Sequence, residues 1–180
     1  MTLTMPEMPE TTDSYGQISV VVLTTKPASL ASIPVASITA GKNVSCHLYG
    51  DWMPTANTDK VSRQRKMCQT KITQSLGTTT WETPAFQYSY NPQSVGAAGA
   101  PGNEAYEALP EGAVVYAVQR LGKDSRSALV AGDKIRVWPL ELGPQVPGVS
   151  ADDAGGEFVI NQEASFASGY DGPVDGVVAP

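Results

Sequence analysis

Three aromatic side chains fall at every second position between residues 86 and 90: Phe86, Tyr88 and Tyr90, with Gln87 and Ser89 between them. In an extended chain successive side chains point to opposite faces, so this spacing puts all three rings on one side. Rings at period two need a covered face, which a sheet backed by a second layer supplies. The same alternation recurs along the chain. In residues 44–49, Val44, Cys46 and Leu48 oppose Ser45, His47 and Tyr49. In residues 68–76, Cys68, Thr70 and Ile72 read as inward, and Gln69, Lys71 and Thr73 as outward. Ile135 and Val137 oppose Lys134, Arg136 and Trp138, and Phe158 and Ile160 share a face in residues 157–166. Residues 18–24 and 112–119 are more continuously apolar strands. A chain patterned in this way is mainly β.

Turn residues punctuate these strands, with 17 glycines and 14 prolines favouring many connections over long helices. One short helix is expected at residues 103–109. Asn103 is placed to cap it, Glu104 and Glu107 suit its positive end, and Pro110 stops it. So short a helix is unstable alone, so Tyr106 and Leu109 are expected to dock it on the sheet. Residues 37–39 read as a short edge strand and residues 177–178 as another edge pairing. Residues 94–102 and 143–156 read as glycine- and proline-rich loops, and residues 121–125 as a turn. Residues 50–67 are polar and without period, which predicts a long loop; loops of that length are usually functional. Residues 1–14 carry three acids and no base and read as a flexible N-terminal arm. Residues 15–180 then form a single domain.

Composition narrows the function classes. A net charge of −6 argues against a protein that grips nucleic acid through its phosphates. No apolar run approaches a membrane span. The opening residues, MTLTMPEMPE, lack the basic and apolar regions of a secretory leader, so a reducing cytoplasm is expected. Cys46 and Cys68 then read as small buried apolar groups, and whether they pair is open.

Catalytic readings find little to stand on. His47 is the lone histidine, and a packed or surface imidazole is the ordinary role for one in mid-strand. The two cysteines lack zinc spacing. Glu157 and Glu163 share a strand face and could suggest glycoside hydrolysis, although acids there are usually solvated. Gly96, Gly99 and Gly102 fail the phosphate-loop pattern. No enzyme activity, cofactor or metal is expected. Charge segregation is more informative. Lys60, Arg63, Arg65 and Lys66 crowd the predicted long loop, followed by Lys71. Residues 141–180 hold seven acids and no Lys or Arg.

Taken in order, RQRKMCQTK, LGTTTWETPAFQYSYNPQ, GNEAYEAL, VVYAVQRLGK and AGDKIRVWPLELG resemble the major tail protein of long-tailed actinobacteriophages, the tail tube subunit. The resemblance covers roughly residues 46–166. It implies a β-sandwich or barrel of the phage tail tube type with one short α-helix. It also implies six copies closing into a ring by joining sheet edges, with rings stacked into a tube whose lumen holds the tape measure protein and conducts DNA. Tail terminator and distal tail proteins are implied partners, and the virion tail, assembled in the host bacterial cytoplasm, is the implied location. The long loop would reach the next ring, with Trp52 and Met53 as apolar anchors and Lys60, Arg63, Arg65 and Lys66 meeting acids of residues 141–175. Lys134 and Arg136 are candidates to face the lumen. Two other readings stand beside it: a β-sandwich binding or adhesion module using Trp52, Trp81 and Trp138, and another phage structural protein such as a tail terminator or decoration protein.

Overall fold

The computed structural model describes residues 13–94, 103–150 and 156–180. Residues 1–12 of the expected arm and parts of the expected loops at 94–102 and 143–156 lie outside the described residues. The protein is mainly β, as its alternation predicts. The strands are β1 (Ile18–Leu23), β2 (Ser32–Pro34), β3 (Lys42–Asn43), β4 (Thr55–Ser62), β5 (Gln74–Glu82), β6 (Phe86–Ser89), β7 (Val114–Leu121), β8 (Lys134–Val149), β9 (Phe158–Phe166) and β10 (Val174–Ala179). Among the described residues two one-turn helices accompany them, α1 (Val35–Thr39) and α2 (Glu104–Ala108).

The main sheet runs β2-β10-β8-β7-β1-β3. β8 is 16 residues long. Its first half pairs with β7 and β10, and its second half pairs with β9, which in turn pairs with β6. The register shifts between Leu142 and Gln145, at Gly143-Pro144. A bulge there bends the strand, and proline is tolerated where the ladder is already broken. A side chain at 143 would meet the Glu163 carbonyl at 3.1 Å. Residues 143–149, expected in a loop, are therefore strand: Gly143 and Pro144 mark a bend that carries one strand between two layers.

Burial explains why residues 18–23 and 114–118 are mostly apolar without alternating. The β1-β7-β8 sheet is covered on both faces, and such strands read as nearly continuous apolar runs. One face carries Val20, Val22, Ala117, Trp138 and Leu140. The other carries Val21, Leu23, Val118, Ile135 and Val137, packed with Ile33 and Ile38. Ile38 accounts for a correction: residues 37–39 are not an edge strand but part of α1, which turns Ile38 onto that second face. The 177–178 pairing is also more central than expected, since β10 lies between β8 and the edge strand β2.

Residues 44–49 do not form the expected strand either. Asn43 Oδ1 accepts from the Ser45 N–H at 3.0 Å and its hydroxyl at 2.6 Å, turning the chain. Val44 is buried, while Cys46 is exposed. Cys68 is likewise exposed, and both cysteines are free thiols. The inward assignment of both fails because neither lies in a strand.

α2 sits where expected, but Asn103 does not cap it. Its buried amide binds Asn91 instead, donating to the carbonyl at 3.1 Å and accepting from the N–H at 2.8 Å. The far end of α2 is satisfied by the sheet. Gln145 Nε2 lies 3.0 Å from the carbonyls of both Tyr106 and Leu109, and Gln162 Nε2 donates to the Leu109 carbonyl at 3.1 Å. Helix carbonyls left without a partner are costly when buried, so these glutamines help fix the helix on the sheet. Tyr88 completes the network, donating to Gln162 Oε1 at 3.0 Å, and burial pushes its phenol above the usual tyrosine range.

One buried charge organises the β7–β8 connection. The Arg120 guanidinium donates to Asp133 at 3.0 Å and to the carbonyls of Asp124, Ser127 and Ala128. Lys123 also pairs with Asp133. Lys123, the Val130 N–H and Arg120 together hold the Asp133 carboxyl down to about 2, against the opposing effect of burial. A depressed carboxylate contributes stability above its unfolded value, near pH 4, that is lost as pH falls through its folded value. The expected outcome is a loss of about 1–2 kcal/mol of stability between pH 4 and pH 2, read by urea unfolding. Asp133→Asn is expected to cost about 3–5 kcal/mol at pH 7 and to flatten that acid slope.

Candidate assembly surface

Among the described residues β4 and β5 pair only with each other, and almost every residue in them is exposed on both faces. They form a ribbon standing off the body. This corrects the expected loop at 50–67, of which residues 55–62 are strand. It also moves the strand expected at 68–76, which begins at Gln74; residues 67–73 lie at the hairpin's turn. The sequence hid β4 because a ribbon wet on both sides has no apolar period. The signal available was threonine: Thr55 and Thr58 face Glu82 and Thr79 across the ladder, and the Thr58 and Thr79 hydroxyls lie 2.8 Å apart.

A two-stranded ribbon is marginal in water unless something holds it. Here the root is held. Trp81 packs edge-on against Trp138, with centroids 5.6 Å apart. Thr83 donates to the Ala164 carbonyl at 2.5 Å. Further out the ribbon exposes apolar groups: Val61, Ile72 and Leu76 are all more than half exposed, and Met67 is fully so. Exposed aliphatic groups on a projecting ribbon make it a candidate contact surface.

The predicted bases sit on this ribbon. Lys60 is in β4, and Arg63, Arg65 and Lys66 follow it toward the turn, all exposed. Arg63 reaches the Ser75 hydroxyl at 3.3 Å, and Arg65 the Gln69 carbonyl at 3.2 Å. Among the described residues these four bases make no ion pair. On the body, Glu141 pairs with Ser165, and Glu163 lies two residues before that position. Both acids are therefore on one exposed face of β8–β9. Glu157 accepts from the Tyr49 hydroxyl, which pushes that phenol up. Asp152 and Asp153 lie outside the described residues.

Trp52 is not an exposed anchor. It is 4% exposed, stacked on Phe86 at 4.6 Å and edge-on to Trp138 at 5.8 Å. Its indole N–H donates to the Pro84 carbonyl at 3.0 Å, and its carbonyl accepts from Gln119 at 2.8 Å. Its position before a polar stretch looked like a loop end; its ring in fact closes the core beneath the ribbon. Met53 is partly exposed beside Gln119. With Trp138 buried and Trp81 half-buried, the three tryptophans form a core cluster rather than a sugar-stacking surface.

Lys134 and Arg136 share one face of β8. Arg136 forks onto Asp175, with bonds of 2.6 and 3.3 Å, and lowers that carboxyl below its usual range. A groove of about 660 Å³ lies along both bases, with Leu121, Asp175 and Val177 among its lining residues.

The catalytic candidates separate. His47 Nδ1 lies 3.2 Å from the Ser89 hydroxyl, and Nε2 lies 3.4 Å from a Glu104 carboxylate oxygen. Sequence could not show this contact, which joins three distant segments. The Ser89 N–H donates to the His47 carbonyl, so the group ties residues 47–49 to β6 and to α2. Glu157 and Glu163 are six residues apart along an extended segment, so their backbones stand about 20 Å apart. Two-carboxylate sugar chemistry needs roughly 5–9.5 Å. Among the described residues no cluster of three or more His, Cys, Asp and Glu could hold a metal, and no helix is long and apolar enough to cross a membrane.

Against known families, the chain matches the model described as phage tail tube protein over residues 5–176. No curated protein matches it. With Trp52 in the core, Trp52→Ala is expected to cost the unassembled subunit about 3–5 kcal/mol of folding stability. A urea midpoint unchanged from the parent would contradict that placement.

Proposed function

This chain belongs to the phage tail tube protein family, and we propose from that premise that it builds the tail tube of a long-tailed actinobacteriophage as hexameric rings stacked end to end. The family match along nearly the whole chain is the observation that carries the reading. The tube's lumen holds the tape measure protein and conducts DNA, with Lys134 and Arg136 as candidate lumen-facing groups. The tail terminator and distal tail proteins close its two ends, and assembly takes place in the host bacterial cytoplasm. The role is structural and needs no catalysis.

The β4–β5 ribbon supports the stacking part. It projects, it is basic, and it exposes aliphatic groups that a lone subunit leaves in water. In this reading Lys60, Arg63, Arg65 and Lys66 meet an acidic face of the adjacent ring, for which Glu141 and Glu163 supply exposed carboxylates. Val61, Ile72 and Leu76 take the anchoring role first expected of Trp52. One exposed ion pair contributes only about 0–1 kcal/mol, so the charges set register and encounter rate while buried aliphatic groups carry more of the affinity.

Negative-stain microscopy of the concentrated chain is expected to show rings or tubes. A chain that stays monomeric, even with its tail initiator proteins present, would count against the proposal. Arg63→Glu combined with Arg65→Glu is expected to slow assembly and steepen its salt dependence, leaving the subunit folded. Leu76→Ser should weaken assembly at every salt concentration. Wild-type assembly by the charge-reversed variant in low salt would remove the electrostatic part of the reading.

A further inference from the structure

β6 closes the layer that β8 and β9 begin, and its two edges differ. Toward β9 its register runs unbroken from Phe86↔Gln162 to Ser89↔Val159. Along the other edge no further strand follows among the described residues. Residues 47–49 lie there instead. The Tyr49 N–H donates to the Gln87 carbonyl at 2.8 Å, and the Ser89 N–H donates to the His47 carbonyl at 2.9 Å. Leu48 thereby comes opposite Tyr88.

An open strand edge is a template for another chain, and proteins blunt it with charge, proline or a bulge. β6 reads FQYS: it has no charged residue, no proline and no register shift. Its protection therefore has to come from the segment beside it. Three successive side chains hold that segment. His47 reaches Ser89 on β6 at 3.2 Å and Glu104 on α2 at 3.4 Å. Leu48 packs against the aromatic core. The Tyr49 hydroxyl donates to Glu157, the residue before β9. The segment is also tethered at both ends. Upstream, the Ser45 hydroxyl accepts from the Val20 N–H at 2.8 Å; downstream, Trp52 is buried.

We propose that residues 47–49 are a strap that keeps the β6 edge from pairing antiparallel with β6 of a second copy of this chain. A second copy is the occupant because an uncharged edge complements itself: two such edges laid antiparallel exchange the same N–H and C=O groups. Two backbone bonds join the strap to β6. So few bonds open readily, and the side chains at 47 and 49 set how often they do. The strap acts within the single subunit and does not rest on the stacking of rings.

The test compares variants of the full chain at a dilution where the parent sediments as a monomer. His47→Ala with Tyr49→Phe removes two of the holds and leaves Leu48 in the core. Hydrogen exchange at the Tyr49 and Ser89 amides is expected to rise about tenfold, and the chain is expected to self-associate. Adding Gln87→Lys sets like charges on facing strands, so it should restore the monomer while exchange at the Tyr49 amide stays fast. Ile33→Val, which opens a small cavity on the other core face, should leave the chain monomeric. Unchanged exchange in the double variant, or fast exchange without association, would overturn the proposal. Association reversed by Leu76→Ser but not by Gln87→Lys would place the contact on the ribbon and overturn it as well.

Discussion

A single strand is hydrogen bonded into both layers of this molecule. β8 carries Trp138 and Leu140 toward the aromatic cluster while its backbone holds β7 and β10; from Leu140 onward, on both sides of the bulge at Gly143, it holds β9. Nearly every other feature hangs on that continuity. α2 is fixed by Gln145 from the second half of β8 and by Gln162 from its partner β9. The ribbon's root rests on Trp138 through Trp81, and the chain entering the ribbon rests on it through Trp52. Straightening β8 would separate the layers and release α2 and the ribbon together. The bulge is thus the constraint that makes two layers one domain.

The ribbon is the inverse case. The body buries its apolar groups on both sides of a sheet, whereas the ribbon buries almost none. An element of this kind contributes little to the stability of the subunit that carries it. Its threonines supply strand propensity, its bulge between Thr58 and Lys60 twists it, and its exposed aliphatic groups gain only when something covers them. The division is physical: a stiff aromatic core places the ribbon, and the ribbon leaves its aliphatic groups and its bases in water.

How much of this the sequence disclosed depended on whether a segment is wet on one face. Where one face is buried and one exposed, as at Phe86, Tyr88 and Tyr90, period two was legible. Where both faces are wet, as in β4, or both are covered, as in β7, the period disappears; β7 was still readable as a strand from its apolar content, and β4 was not. Residues 143–149 were lost because glycine and proline signal a turn equally whether the chain reverses or a strand merely bends. Of the candidate site, the clustering of bases survived intact, because charge needs no partner to be seen. The role given to Trp52 did not survive, because its ring returns to Phe86, which is far along the chain.

The charge division shapes what kind of contact these subunits can make. Residues 55–76 hold five bases and one acid, so the rest of a chain of net charge −6 is more acidic than that total suggests. Two bodies brought face to face repel, whereas ribbon against body attracts. At physiological salt this discrimination reaches only about 8 Å, so it acts in the last stage of approach. Within that range it penalises wrong registers more than it strengthens the right one. The body meanwhile spends several of its bases internally: Arg120 and Lys123 on Asp133, Arg136 on Asp175. Outward on β8–β9 it leaves Lys134 and the two acids Glu141 and Glu163, and those carboxylates are what the proposed stacking contact sets against the ribbon's bases. Under that proposal the contact is head-to-tail, the geometry that repeats along an axis.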